Sequence, residues 1–120
     1  MARILICDDS NLSRSALRRI IHTSGHTVVG EAVDGEEACQ KFSELKPDLV
    51  TMDITMPKMN GIKALQAILQ RDTQAKVVMI SALGHAAKIL EAVHHGAKCY
   101  VTKPFDENAV RTAIDDALNA

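Results

Sequence analysis

The chain has no tryptophan, one tyrosine and two phenylalanines among 120 residues. It therefore holds almost nothing with which to sandwich a flat cofactor ring. Its three cysteines, Cys7, Cys39 and Cys99, are odd in number and never spaced as metal ligands, which leaves neither a zinc finger nor a disulfide framework to build on. Cys7 and Cys99 fall in or beside apolar runs, where a free thiol behaves as a small hydrophobe. No apolar run approaches the roughly 18 residues needed to cross a bilayer. Ala2-Arg3 leads at once into a strand pattern rather than a secretory leader. The net charge is −1, with both signs spread through both halves, and no basic arm or stripe points to nucleic acid. Neither nucleic acid nor membrane is an expected partner, and the expected setting is the cytoplasm.

Apolar residues make up 47% and charged residues 24%, the balance of a globular domain rather than a disordered chain. Residues 1–120 are expected to form one domain. Strand and helix patterns alternate with no linker, repeat or low-complexity tract. Strands are expected over residues 3–7, 27–33, 48–53, 76–81 and 99–102. Between them, Leu12, Ala16, Leu17, Ile20 and Ile21 recur with helical period up to Ser24-Gly25. Ala38, Phe42 and Leu45 mark a second helix between Asp34-Gly35 and Lys46-Pro47, and Ile62, Leu65, Ile68 and Leu69 a third opened by Asn60-Gly61. A fourth helix is expected over residues 84–95, and Asp106 caps a fifth. The second strand, broken by Gly30 and Glu31, suits a sheet edge. Five βα units imply a three-layer α/β sandwich with right-handed crossovers.

Asp8 and Asp9 end one apolar run, Asp53 ends another, and Lys103-Pro104 follows a third. In an open parallel sheet all strand C-termini open onto one edge, where ligands bind. Three carboxylates and an ammonium then share one crevice, and crowded like charges repel. A bound divalent cation relieves that repulsion. The arrangement reads as a metal-dependent phosphoryl acceptor. Taken singly, each residue has a plainer reading. Asp8 or Asp9 would cap the first helix unless Ser10 or Asn11 does, Asp53 would be a turn residue, and Lys103 would pair with any surface acid.

Asp8-Asp9, then Asp53 within the run from Met52 to Gly61, then Ser81-Ala82, then Lys103-Pro104-Phe105 resemble the receiver domain of bacterial two-component response regulators, in order and over essentially the whole chain. Because the sequence stops after the fifth helix, the resemblance is greatest to the CheY-like single-domain chemotaxis regulators. It implies a flavodoxin-like, doubly wound five-stranded parallel sheet in the order 2-1-3-4-5, for which a regulator of this kind is itself a standard example. It implies Asp53 as phosphoacceptor and Mg²⁺ held by Asp9, Asp53 and the backbone carbonyl of Thr55, with Asp8 acting through a coordinated water. Lys103 contacts the phosphoryl group, Ser81 senses it, Tyr100 is the rotating aromatic, and the bond before Pro104 is cis. By the same resemblance, Thr55 and Leu83 are expected to occupy the sites that, in the family, flank the phosphoryl group and set how fast it hydrolyses.

The implied function is a monomeric phosphorylation-activated switch, not an enzyme on other substrates. Its phosphodonor is a CheA-like sensor histidine kinase, and its target a flagellar motor switch protein or a phosphatase. The alternative is a stand-alone receiver in another phosphorelay. His22, His26, His85, His94 and His95 form no ligand set, so the phosphohistidine is expected on the kinase. In helix four, Leu90 is expected to cover the sheet, leaving Ala86, Ile89 and Val93, with Tyr100, as a partner surface; alanines as mere helix formers are the plainer account. A flavin module of this fold is disfavoured because Asp8-Asp9 would repel the flavin phosphate. An aspartyl phosphatase would carry a second acid two residues after its nucleophile, and a cap domain. A constitutive interaction module would not need the complete motif set.

Overall fold

The computed structural model describes residues 1–82 and 84–120, so Leu83 lies outside the described residues. Strands and helices alternate strictly: β1 (Arg3–Cys7), α1 (Asn11–Thr23), β2 (Thr27–Ala32), α2 (Gly35–Leu45), β3 (Leu49–Asp53), α3 (Gly61–Arg71), β4 (Val77–Ala82), α4 (Ala86–His94), β5 (Cys99–Lys103) and α5 (Glu107–Leu118). Every pairing is parallel, in the order β2-β1-β3-β4-β5. This is the doubly wound, flavodoxin-like sheet that the resemblance implies. β2 takes the edge, where its glycine and glutamate are tolerated.

Adjacent strand residues face opposite sides of a sheet, and here both sides are covered. Leu5 and Cys7, Val50 and Met52, and Val77 and Met79 pack on one face against Phe42 of α2, Leu65 and Ile68 of α3 and Ala92 of α4. Ile4 and Ile6, Leu49, Val78 and Ile80 pack on the other against Leu17, Ile20 and Ile21 of α1 and Val110, Ile114 and Ala117 of α5. Two buried faces explain why the central strands read as unbroken apolar runs.

Each cap fixes where a helix leaves the strand ends. Ser10, Asp34, Asn60 and Asp106 accept from the N–H groups of Ser13, Glu37, Lys63 and Ala109. Since Ser10 caps α1, neither Asp8 nor Asp9 serves as the cap. Among the described residues, no helix is long and apolar enough to cross a membrane.

Element ends shift by up to two residues from those expected, and three side chains are placed differently. Leu12, expected on the inward stripe of α1, is 83% exposed. It lies nine residues before Ile21, about 180° round a helix that turns about 100° per residue. Ile89, expected on the exposed face of α4, packs against the core beside buried Ala92, while Leu90 is 71% exposed. At about 100° per residue, Ile89 and Ala92 share the sheet-facing side, and Ala86, Leu90 and Val93 share the outer one.

Candidate metal and phosphoryl centre

β1, β3 and β5 end at the same sheet edge, so Asp8, Asp53 and Lys103 meet although 45 and 50 residues separate them. Cys7 pairs with Met52, Asp53 with Ile80 and Ser81 with Thr102, which sets the strand ends side by side. Lys103 Nζ stands 2.9 Å from Asp8 Oδ2 and 3.2 Å from Asp53 Oδ2. The Lys103–Pro104 peptide bond that follows is cis.

Asp8 is 1% exposed and tied on three sides. Its N–H donates to the carbonyl of Ala32 at 3.0 Å, extending the β1–β2 ladder. Its Oδ1 accepts from the Ser10 N–H at 2.8 Å, and its carbonyl accepts from Arg14 Nη1 at 2.6 Å. Only Oδ2 is left facing the crevice. It makes the close charge contact with Lys103 but lies off the angles of a hydrogen bond. Asp53 is also buried. Its Oδ2 accepts from Lys103 Nζ, and its Oδ1 from the Thr55 N–H at 3.3 Å.

The charges do not balance. Two buried carboxylates face one ammonium, and exposed Asp9 adds a third negative charge at the rim. Burial, then repulsion from Asp8, pushes the Asp53 carboxyl up from 3.8 to about 6, although Lys103 and the Thr55 N–H pull the other way. Burial acts to lower the Lys103 ammonium, but Asp8 and Asp53 outweigh it and hold the group above its ordinary value. One carboxylate oxygen from each of Asp8, Asp9 and Asp53 lies within 4.8 Å of the others. Three hard oxygen donors, with Asp8 Oδ2 buried and free of any hydrogen bond, fit a divalent cation of the magnesium type.

Glycine is required beside this centre. A Cβ on Gly61 would lie 1.9 Å from the carbonyl oxygen of Asp53, and the Gly61 N–H donates to Ile54 O at 2.8 Å. The start of α3 thus rests directly on the backbone of the residue that ends β3.

The remaining expected site residues spread outward. Ser81 is 0% exposed, one strand away, and its hydroxyl donates to the carbonyl of Ala82 at 3.2 Å. Tyr100 is 53% exposed on β5. It lines a groove of about 660 Å³ between α4, β5 and α5 with Val93, Cys99 and Ala109. Thr55 is exposed beside Asp53. The residue that sequence reasoning missed is Arg14. Its signal is an arginine on the first turns of α1 and a lone acid, Glu31, within the otherwise apolar β2.

Residues 4–115 match the family model of the response regulator receiver domain. The chain is 48% identical over 113 residues to the chemotaxis protein CheY of Thermotoga maritima, covering 94% of each. It is 46% identical over 117 residues to that of Bacillus subtilis, covering 98% of each. Among solved structures, a chain of the CheX–CheY–BeF₃–Mg²⁺ complex from Borrelia burgdorferi matches with a TM-score of 0.90 and 39% identity, over 93% of this chain and 85% of that one. The chain belongs to the response regulator receiver domain family.

Proposed function

We propose that this receiver is a phosphorylation-activated switch of chemotaxis. Asp53 takes a phosphoryl group from a histidine kinase of the CheA type, with Mg²⁺ held by Asp9, Asp53 and the Thr55 carbonyl and steadied by Asp8. The observation that carries this reading is the Asp8–Lys103–Asp53 contact, 2.9 and 3.2 Å long, at the mouth of three strands. The names of the relatives favour chemotaxis over another phosphorelay.

When bound, Mg²⁺ supplies positive charge against the oxygens of the entering phosphoryl group. A carboxylate oxygen of Asp53 forms the new O–P bond as the P–N bond to the donor histidine breaks. Lys103 Nζ already sits against Asp53 Oδ2 and meets the negative charge that accumulates there. Positioning and electrostatics carry such a transfer, with little further covalent chemistry asked of the protein. The chain acts on itself and is not an enzyme toward other substrates.

The readout runs through β4 and β5. The Ser81 hydroxyl, spent here on Ala82 O, turns to an oxygen of the aspartyl phosphate. A charge-assisted bond of that kind contributes roughly 1.5–3 kcal/mol, enough to shift a two-state loop by about ten- to a hundredfold. Tyr100 moves inward as Ser81 leaves, which reshapes the groove bordered by Val93 and the outer face of α4. The partner seated there is a motor switch protein or a phosphatase.

Two variants separate these steps. Ser81→Ala is expected to accept phosphate normally while Tyr100 stays exposed, read from the ring's NMR resonances with and without beryllofluoride. A Tyr100 shift equal to that of the wild type would contradict the relay. Lys103→Ala is expected to accept phosphate yet gain little partner affinity. Unimpaired pull-down of the beryllofluoride-specific partner would count against the role of Lys103.

A further inference from the structure

Asp8 is held by the backbone groups of Ala32 and Ser10, and its Oδ2 faces Lys103 in the crevice. The remaining hold comes from behind, from a side chain of α1. Arg14 Nη1 donates to the Asp8 carbonyl at 2.6 Å. Its Nε donates to Glu31 Oε1 at 3.0 Å, and its Nη2 meets Asn11 Oδ1. The side chain is only 12% exposed. A planar guanidinium bound on every side is a rigid spacer, which a flexible ammonium is not. Glu31 sits opposite Ile6 in the β1–β2 ladder and also meets Arg18, so the anchor belongs to the sheet itself.

We propose that Arg14, braced by Glu31, is a positioning residue for the acidic pair: it fixes the peptide plane joining Asp8 to Asp9 and thereby aims both carboxylates at one cation. The inference rests on the reading of this crevice as a cation and phosphoryl centre. The carbonyl that Arg14 grips belongs to that peptide plane. Rotating the plane changes ψ of Asp8 and φ of Asp9 together, and so moves the exposed Asp9 carboxylate away from the buried Asp8 Oδ2. Ser10 N–H and Ala32 O hold Asp8 alone; Arg14 holds the junction with Asp9. Groups that orient metal ligands from behind typically change metal affinity by about ten- to a hundredfold.

The sign of the effect distinguishes positioning from charge. Arg14 is a cation near a cation site, so if it acted by charge its removal would tighten metal binding. Glu31, shared with Arg18, offsets only part of its charge, so a charge effect would still tighten binding on its removal, whereas loss of a positioning group weakens it. Mn²⁺ affinity of the full chain, read from the free-ion signal in electron paramagnetic resonance, separates the two. Arg14→Gln and Arg14→Lys are each expected to bind Mn²⁺ about tenfold more weakly than the wild type. Glu31→Gln should bind a few-fold more weakly. Arg18→Gln, which touches Glu31 but not Asp8, should match the wild type.

Arg14 variants that bind as tightly as the wild type, or more tightly, would overturn the proposal even if their melting temperatures fall. If both Arg14 variants fail to fold, Glu31→Gln decides, and unchanged affinity there overturns it. The underlying reading fails separately: a wild-type chain that binds no Mn²⁺, or an Asp9→Asn variant that binds it equally well, removes the ground for both.

Discussion

Asp53→Asn is expected to abolish phosphorylation and, with divalent cations chelated, to make the domain more stable. The first effect follows from loss of the nucleophile, and labelling by acetyl phosphate should fall at least about a hundredfold, since an amide is a poor nucleophile toward phosphorus. The second follows from the charge imbalance. Asp53 titrates at about 6 in the folded chain against 3.8 for an ordinary aspartate, so the folded state prefers the protonated form. The penalty for ionising it is absent below about pH 4, grows as pH rises towards 6, and is complete above. Asparagine removes it, for a gain on the order of 1–2 kcal/mol at pH 7–8 once the solvent that reaches the crevice is allowed for. At about pH 4 the two chains should unfold almost together. Urea titrations in a chelator at both pH values check this, and equal stabilities at the higher pH would contradict the electrostatic account.

Gly61→Ala is expected to damage both fold and centre. A methyl group there overlaps the carbonyl oxygen of Asp53 at 1.9 Å, a backbone atom that cannot swing aside. Relief requires α3 to withdraw from β3, breaking the Gly61 N–H bond to Ile54 O. Overpacking of a tight site usually costs about 1–3 kcal/mol, and rigid backbone on both sides places this case near the upper end. A fall of roughly 10 °C in melting temperature follows for a domain of this size. The backbone displaced is that of Asp53, the proposed phosphoacceptor, so the folded fraction should also take up phosphate slowly. A Gly61→Ala chain with unchanged melting temperature would show that the contact is softer than the structure has it.

Much of this centre is legible because strand ends are legible. Apolar runs ending in Asp8, Asp53 and Lys103 place those residues at one edge once the sheet is parallel, and parallelism follows from the alternation of strands and helices. The helix starts are equally open, since Asp34, Asn60 and Asp106 are good caps followed by periodic apolar residues. The outer faces are harder. In α4, with its many small and apolar residues, periodicity alone leaves the buried side open, and Ile89 and Leu90 exchange places because Ala92 fixes the inward arc. Leu12 is apolar but lies about 180° round α1 from buried Ile21, so composition without its angular position puts it on the wrong face. Arg14 leaves only a faint trace, the lone acid Glu31 in β2: its main partner is a backbone carbonyl, which no sequence pattern marks, and its brace comes from a different element. The Lys103 contact with Asp8 joins β1 to β5 across β3 and β4, and depends on the reach of one flexible side chain.

On the proposed reading, a cation held by acidic side chains lets Asp53, and no other residue, capture phosphorus. The most direct measurement is site-resolved: treat the purified chain with acetyl phosphate while titrating Mg²⁺, trap the acyl phosphate by borohydride reduction, and map the modified peptide by mass spectrometry. Modification confined to Asp53 and rising with Mg²⁺ is the result expected. An unmodified Asp53 at saturating Mg²⁺, or a trapped group at another residue, would contradict it.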